Sequence, residues 1–331
     1  MLKKYKSQIF QSVKNLIKEK KLREKNINSK TLSLSAPIFD DKEINNLIDT
    51  LLGGWISLGP KVKSFEKKFA SKIGCKYGVA TNSGSSANLI VLEALKKKYK
   101  LKKGDEVILP ASTFATVVTP IIQVGLKPVF VDVDLNTMNI SPNEIKKAIT
   151  NKTKIILVVH TLGLSADMPS ILKIAKQKKI IIFEDCCEAH GSKLKNKYTG
   201  SWGLISAFSF FVAHNMTTGE GGIICTNDKE LKDLCCSFRE FGRIKQNNLT
   251  SKRYISSRNL KDYDKRYVFE NIGYNMRMND LSASLGIEQL KKLEKFNRIR
   301  IKNAKYLHSK LKLNFNDYFE FPSMVFNQSN S

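Results

Sequence analysis

The chain has 331 residues, 42% of them apolar, and a formal net charge of +26. This length is enough for one large domain with a substantial core plus a smaller unit. There is no apolar run of the roughly eighteen residues that a membrane span needs, and the first residues lack the apolar stretch of a secretory signal. We therefore expect a cytoplasmic protein with no membrane partner.

The positive charge is mostly lysine and is spread along the chain, together with abundant Ile and Asn. A biased composition accounts for this distribution. No nucleic-acid recognition motif accompanies it, so no nucleic-acid partner is predicted. The positive field would attract an anionic small molecule, but only weakly and without specificity.

The cysteines do not indicate a metal or disulfide framework. None of them falls in a C-x-x-C pair, and vicinal cysteines have poor spacing for a disulfide or for zinc. We expect reduced, mostly buried thiols and no metal site. The six cysteines are Cys75, Cys186, Cys187, Cys225, Cys235 and Cys236.

The first thirty residues predict a basic amphipathic helix. Ten Lys and Arg minus two Glu give this stretch a charge of +8. Its apolar residues recur near helical spacing: Tyr5, Ile9, Phe10, Val13 and Ile17. We take residues 1–40 as this helix and its lead-in.

Residues 41–72 show helical periodicity interrupted by "GGWISLGP", and from about residue 77 short apolar runs alternate with helical segments. The runs are rich in Val and Ile, as in strands covered on both faces. This alternation predicts an α/β fold with a mostly parallel, doubly wound sheet. No G-x-G-x-x-G follows the first strand, so a dinucleotide-binding fold is not expected.

The last stretch begins a new unit and ends in polar residues without closing it. We therefore expect a large α/β domain at residues 41–290. Residues 291–331 are the start of a small C-terminal domain, which we expect to be truncated.

Polar side chains follow several predicted strands, where sites in open α/β sheets lie. "NSGSSAN" places Gly84, Ser85 and Ser86 before a helix, where free N–H groups can bind a phosphate. A simple helix cap is the alternative. Asp185 ends the run "IIIFED", where a carboxylate can act as a general base, as a metal ligand or as the partner of a protonated ring nitrogen.

Further polar residues follow at similar positions along the chain. Glu188 lies three residues beyond Asp185, and two acids this close could hold a metal, but no His-rich surroundings support that interpretation. The remaining candidates are Ser209, His214, Asn275, Arg277 and Asp280.

Taken in order, these motifs resemble the DegT/DnrJ/EryC1/StrS sugar aminotransferase family of fold-type I pyridoxal-phosphate (PLP) enzymes. The resemblance covers residues 40–310 and is carried by "NSGSSAN", "ASTFATV", "PVFVDVD", "EDCCEAHG", "SFFVAH", "GEGG" and "GYNMRMND". It implies an aspartate aminotransferase-like fold with residues 41–290 as the cofactor-binding domain. The cofactor implied is PLP or its amine form, pyridoxamine phosphate (PMP).

The resemblance implies a set of residues for the cofactor phosphate. Gly84, Ser85 and Ser209 match positions that hold it within one subunit. Asn275 matches a residue that reaches the phosphate of a neighbouring subunit, which implies a homodimer with a shared site.

It also implies a set of residues for the cofactor ring. Phe114 matches the aromatic residue that stacks on the pyridine, and Glu188 matches a polar position near the ring hydroxyl. Asp185 matches the carboxylate that keeps the pyridine nitrogen protonated, which makes the ring an electron sink.

His214 stands where the family usually has the lysine that binds the cofactor covalently. An imidazole cannot form that bond, but with a pKa near neutrality it can act as acid and base. The nucleotide-sugar 3-dehydratase branch of the family matches this substitution, and "VVHTLG" also resembles it, which places His160 at the edge of the site. An inactive site is the alternative for a lone histidine, but the other site residues are intact here.

In that branch PMP condenses with the C4 ketone of the sugar, the histidine removes a proton from the cofactor C4′, and the C3 hydroxyl leaves. Glutamate then regenerates the amine. The resemblance implies this reaction on a nucleotide-linked 4-keto-6-deoxy sugar, in 3,6-dideoxysugar synthesis for a surface polysaccharide such as lipopolysaccharide, with His214 as the catalytic residue. The nucleotide stays open between GDP and CDP, because much of the chain is closer to the CDP-sugar type.

One type of this branch holds an iron–sulfur cluster on cysteines that follow an "FR-x-x-GR" segment. Here no cysteine lies between Phe238 and Asn275, and Lys, Asn and Ser cannot replace thiolate ligands, so we predict an enzyme without a cluster. Two alternatives stay open. One is a PLP-dependent aminotransferase that uses another lysine, which the lack of lysine between Ser201 and Asp228 disfavours. The other is an inactive cofactor-binding member.

Overall fold

A seven-stranded sheet forms the centre of the protein. The computed structural model describes residues 2–25, 37–244 and 267–319. The strands follow the order β1-β9-β8-β5-β4-β2-β3, and β6 and β7 pair separately as a hairpin. Their bounds are β1 Tyr77–Thr81, β2 Glu106–Pro110, β3 Lys127–Val131, β4 Thr153–Val159, β5 Ile181–Asp185, β6 Lys193–Leu194, β7 Lys197–Tyr198, β8 Ile205–Ser209 and β9 Gly222–Thr226.

The sheet is mostly parallel, which confirms the predicted fold class. Only β9 runs against its neighbours, β1 and β8. Strands β2, β8 and β9 are buried along their whole length, as their continuous apolar sequences require. The carboxyl ends of β1, β8, β5 and β4 therefore meet at one edge of the sheet.

Helices cover both faces of this sheet. Their bounds are α1 Leu2–Lys25, α2 Asp41–Leu52, α3 Pro60–Ile73, α4 Gly84–Tyr99, α5 Ala115–Gln123, α6 Pro142–Ala148, α7 Met168–Lys178, α8 Lys229–Arg239 and α9 Asp280–Phe315. Helices α4, α5 and α8 share one core with the sheet, whereas α6 and α7 pack on the other face, as do α3 and α9. This arrangement is the predicted doubly wound α/β layering.

Asp280 belongs to the packing of α3 against α9 and not to the predicted group of site residues. It is buried at the first turn of α9, and its carboxylate accepts hydrogen bonds from the N–H groups of Gly59 and Val62, both at 2.9 Å. A carboxylate at a helix N-terminus satisfies N–H groups that have no intrahelical acceptor. The two helices are thereby joined at their N-terminal ends.

The ends of the described chain are helical. The basic helix α1 lies against α2, where Lys6 pairs with Asp49. Helix α9 runs without interruption through the domain boundary predicted between residues 290 and 291. That domain division stays a prediction. None of the described helices combines the length and apolarity that crossing a bilayer requires.

Candidate active site

The predicted site residues converge at the carboxyl edge of the sheet. Strand β5 ends at Asp185, and the neighbouring parallel strand β8 ends at Ser209. Helix α4 begins at Gly84, directly beside Ser209. The chain then leaves β8 through a loop that carries His214. Three segments that are distant in sequence, namely the end of β5, the start of α4 and the end of β8 with its loop, therefore meet at one place.

The first turn of α4 is built to receive an anion. Ser83 caps the helix by accepting a hydrogen bond from the N–H of Ser86, which leaves the N–H groups of Gly84 and Ser85 in a turn without intrahelical acceptors. A Cβ at Gly84 would lie 2.5 Å from the Cβ of Ser209, so only glycine allows this close approach. Helix N–H groups and the Ser209 hydroxyl therefore share one small space.

Asp185 is buried on the face of the sheet that α4 covers. One carboxylate oxygen accepts from the Cys187 N–H at 3.0 Å and the other from the Asn88 side-chain amide at 2.8 Å. The sequence analysis did not predict a role for Asn88, because an asparagine inside a helix has no local signature. Its own carbonyl oxygen is buried without a hydrogen-bond partner among the described residues.

Glu188 and Phe114 line the open side of this edge. Glu188 is exposed and accepts a hydrogen bond from the N–H of Leu162 at 2.7 Å. Phe114 precedes α5 and is 74% exposed, so its ring is free to stack on a flat group. Asn88 also reaches this segment, since its amide lies 3.4 Å from the carbonyl of Thr116.

His214 occupies a turn in the loop after β8. Its N–H donates to the carbonyl of Phe211 at 3.1 Å. Burial lowers the pKa of His214, whereas the charges of Glu188 and Asp185 act in the opposite direction. The imidazole is therefore predominantly neutral near pH 7 and lies within the field of two of the predicted site carboxylates.

A second histidine, which the sequence did not single out, lies behind His214. The ring centroids of His190 and His214 are 6.1 Å apart, and His190 is fully buried among Phe69, Phe208 and Phe210. Burial, followed by the charge of His214, lowers the pKa of His190 to about 3. His190 is thus a neutral wall of the site at physiological pH.

Asn275 and Arg277 flank Met276, whose carbonyl accepts a hydrogen bond at 3.0 Å from the N–H of Asn82, two residues before the start of α4. Asn275 is exposed and accepts a hydrogen bond from the Arg277 guanidinium at 3.1 Å. Its backbone bridges to Glu240, and Arg277 bridges to Thr81 at the end of β1. Asn275 is therefore placed on the surface near the site edge, and its reach toward a second subunit stays a prediction.

The sequence predicted that His160 lies at the edge of the site, and this prediction is wrong. It is fully buried, and its Nε2 lies 2.9 Å from Glu184, on the opposite face of the sheet from Asp185. The N–H of Ala166 donates to Nδ1, so the proton of the ring is on Nε2 and points at Glu184.

Glu184, His160 and Cys186 are close enough to suggest a metal site. However, the two oxygens of Glu184 also accept from the N–H groups of Gly200, Trp202 and Gly203 at 2.6–2.8 Å. Both ring nitrogens of His160 are engaged as well, so neither partner has a lone pair left for an ion. The cluster is a structural hydrogen-bond network.

The site fits the cofactor implied by the sequence. An anion cradle at the start of α4 suits a phosphate, the buried Asp185 with open acceptor sites suits a protonated ring nitrogen, and the exposed Phe114 suits a ring face. Gly84 in contact with Ser209 shows that this cradle needs the absence of a side chain.

Comparison with known proteins gives consistent matches. The profile of the DegT/DnrJ/EryC1/StrS aminotransferase family matches residues 37–322. A GDP-4-keto-6-deoxy-D-mannose 3-dehydratase from Yersinia pseudotuberculosis is 41% identical over 274 residues, which cover 82% of this chain and 69% of that protein.

Solved structures match equally well. The E. coli GDP-4-keto-6-deoxy-D-mannose-3-dehydratase with bound hydrated PLP has a TM-score of 0.78 and 39% identity, over 85% of this chain and 73% of that chain. A GDP-4-keto-6-deoxymannose-3-dehydratase structure with a trapped PLP-glutamate geminal diamine gives the same TM-score, identity and coverage. Both proteins are somewhat longer than the matched part of this chain.

Proposed function

We propose, from the premise that this chain belongs to the DegT/DnrJ/EryC1/StrS aminotransferase family, that it is a PMP/PLP-dependent dehydratase. Its reaction would remove the C3 hydroxyl of a nucleotide-linked 4-keto-6-deoxy sugar. The step belongs to the synthesis of deoxysugars for a surface polysaccharide.

The observation that carries this proposal is His214 in the loop after β8. The sequence from Ser201 to Asp228 contains no lysine, so this loop offers no amine for a covalent bond to the cofactor. Instead it presents an imidazole whose pKa burial lowers, near Asp185 and Glu188. A neutral imidazole is a suitable base at pH 7.

The relatives support the substrate class. The similar proteins from Yersinia pseudotuberculosis and E. coli are GDP-4-keto-6-deoxy-D-mannose 3-dehydratases. We therefore favour a GDP-linked sugar over the CDP-linked one. The lack of cysteine between Phe238 and Asn275 supports a reaction without an iron–sulfur cluster.

The site residues would divide the work as follows. Gly84, Ser85 and Ser209 hold the phosphate, and Phe114 covers one face of the ring. Asp185 holds a proton on the pyridine nitrogen, and Asn88 holds Asp185 in place through its 2.8 Å hydrogen bond. Glu188 would lie near the ring hydroxyl.

When bound, PMP supplies an amine for the C4 ketone and a ring that accepts an electron pair. His214 would accept a proton at the cofactor C4′ and would deliver a proton to the C3 oxygen of the sugar, which would leave as water. Its neutral state before the reaction is what makes the first transfer possible. Behind it, the ring of the fully buried His190 closes one side of the site.

Glutamate as amine donor and a homodimer are further parts of the proposal. The trapped PLP-glutamate species in a similar dehydratase supports glutamate. The exposed position of Asn275 near the site edge leaves it available to a second subunit. A cytoplasmic location stays a prediction.

A turnover assay tests the function. Purified protein is mixed with PMP, glutamate and, separately, GDP- and CDP-linked 4-keto-6-deoxyhexose under air without a reductase, and mass spectrometry follows the sugar. We expect loss of the C3 oxygen from the GDP-linked substrate. Transfer of an amino group to C4 without that loss would establish an aminotransferase instead, and no change with cofactor bound would establish an inactive member.

A further inference from the structure

The loop that carries His214 is closed at its base. The N–H of Phe210 donates to the carbonyl of Gly221 at 2.8 Å, and the N–H of Thr218 donates to the carbonyl of Phe210 at 3.0 Å. These bonds fix where the loop leaves and rejoins the sheet. They lie several residues from His214 and do not fix the tip.

Helix α9 holds the tip of this loop. Arg300 donates from one guanidinium nitrogen to the carbonyl of Asn215 at 2.9 Å and from the other to the carbonyl of His214 at 3.4 Å. The planar guanidinium can bind two neighbouring acceptors in a fixed geometry, which an ammonium group cannot do. Arg300 thus binds the backbone of His214, the proposed catalytic residue.

Asn297, one turn earlier on α9, ties the same tip to the segment after β5. Its amide donates to the carbonyl of His190 at 2.7 Å, and its carbonyl oxygen accepts from the Asn215 side chain at 3.3 Å. The other end of the Asn215 side chain lies 3.3 Å from Nδ1 of His190. Asn297, Asn215 and His190 therefore form a closed ring of polar contacts behind His214.

These polar contacts matter because the loop is incompletely packed on this side. A cavity of about 160 Å³ lies between the loop and α9, and its walls include His214, Asn215, Phe296, Ile299 and Arg300. The tip therefore lacks van der Waals partners on the side of the cavity, although Met216 of the same loop is buried in the core. Directional hydrogen bonds from α9 hold the tip on this side.

We infer that Asn297 and Arg300 are positioning residues for His214. They hold the loop backbone so that the imidazole keeps its distance and orientation toward the atom whose proton it moves. This inference rests on the proposed function of His214. A displacement of about 1 Å can lower a catalytic rate about a hundredfold. Loss of these hydrogen bonds should therefore lower the turnover rate more than it weakens substrate binding.

Kinetics of four variants test this role: Arg300→Ala, Arg300→Lys, Asn297→Ala and, as a control, Arg298→Ala. Arg298 lies on the same helix and is exposed, as Arg300 is, and replacing it by alanine removes the same charge. We expect Arg300→Ala and Arg300→Lys to lower kcat by about ten- to a hundredfold with little change in KM, and Arg298→Ala to change neither. Added guanidinium should restore Arg300→Ala in part.

Two kinetic outcomes would overturn the inference. The first is unchanged kcat in both Arg300 variants and in Asn297→Ala. The second is a rise in KM alone, which would make Arg300 a substrate-binding residue. If Arg300→Ala does not fold, Arg300→Lys and Asn297→Ala decide the matter.

A second measurement does not depend on turnover. The chain contains four histidines, so NMR can follow the imidazole of His214 through a pH titration. The charged or titratable groups that face it are Asp185, Glu188, His190 and Arg300. Burial lowers the pKa of His214, so release of the tip should raise this pKa toward about 6.5.

Arg300→Lys separates position from charge in this titration, since it keeps the positive charge and loses the fork. A rise of the His214 pKa in both Arg300 variants supports the inference, and an unchanged value in both would refute it. If the wild-type protein performs no dehydration, the proposed function fails, but the titration still decides whether α9 holds the imidazole.

Discussion

Glu184 and Asp185 are adjacent residues at the end of one strand, and they differ in how many hydrogen bonds they accept. Glu184 accepts four: three from backbone N–H groups and one from His160. Asp185 accepts two from nitrogen donors, Cys187 N–H and the Asn88 amide. A carboxylate has about four acceptor sites, so Glu184 is saturated and Asp185 is not.

The same contrast separates two histidines, His160 beside Glu184 and His214 near Asp185. We call Glu184 and His160 the framework pair, and Asp185 and His214 the reactive pair. Both ring nitrogens of His160 are engaged, whereas the hydrogen bonds at His214 that the structure describes involve its backbone. Burial and complete hydrogen bonding give Glu184 and His160 a structural role. Asp185 and His214 keep hydrogen-bonding positions without a described partner at the edge of the sheet, so they are available for chemistry. Each prediction below tests this division between a framework pair and a reactive pair.

The largest effect is expected at His214. His214→Asn removes the group that accepts and returns the proton, and we expect kcat for dehydration to fall by about a hundred- to ten-thousandfold. His214→Lys should also abolish dehydration, and its amine should hold the aldehyde cofactor covalently, so that borohydride fixes the cofactor to the protein. Mass spectrometry of the intact chain and the turnover assay measure both results. Full dehydratase activity in either variant would remove His214 from the mechanism.

Asp185→Asn is expected to have the next largest effect. The amide cannot stabilise a proton on a pyridine nitrogen as a carboxylate does, so we expect a loss of about a hundred- to a thousandfold in kcat. Stability should change little by comparison, because the carbonyl oxygen can still accept one of the two existing hydrogen bonds. Steady-state kinetics and urea unfolding of the same preparation measure the two quantities. Unchanged turnover would mean that Asp185 is not the partner of the ring nitrogen.

Glu184→Gln should show the opposite pattern. The amide NH₂ would face the N–H donors of the segment 200–203 and lose about half of the hydrogen bonds. We expect the free energy of unfolding to fall by about 2–4 kcal/mol, while kcat of the folded fraction stays unchanged. Urea unfolding and active-site titration measure this. A selective loss of kcat without a loss of stability would break the division between the two acids.

The sequence predicts the reactive pair better than the framework pair. Gly84, Asp185 and Ser209 each follow or end an apolar run, so their place at the sheet edge is encoded locally. His160 also ends such a run, yet it faces away from the site. Because Val158 pairs in register with Glu184 and side chains alternate along a strand, His160 shares the face of Glu184. Strand alternation combined with the pairing register could have found this.

Other parts could not be read from the sequence. Asn88 is the fifth residue of a helix, and Asn297 and Arg300 lie more than eighty residues from the His214 loop that they contact. Their roles depend on how α4 and α9 pack, which no local pattern states. His190 lies in "EDCCEAHG", but its burial among aromatic side chains follows from tertiary packing alone.

The smallest expected effect tests whether His190 belongs to the framework. Its folded-state pKa is about 3, against about 6.5 in the unfolded chain, so below pH 6.5 the unfolded state binds a proton that the folded state does not. Stability is therefore lost as the pH falls from about 6.5 toward 3, at up to about 1.4 kcal/mol per unit. His190→Gln removes this dependence, because glutamine does not titrate.

Between pH 7 and pH 5, wild-type protein should lose about 2 kcal/mol more stability than His190→Gln. Urea unfolding of both proteins at pH 7, 6 and 5 measures the difference, and the other titrating groups cancel in it. Parallel pH profiles would mean that His190 can take up a proton in the folded state. It would then be a second titrating imidazole beside His214, and the reactive side of the molecule would extend behind the loop.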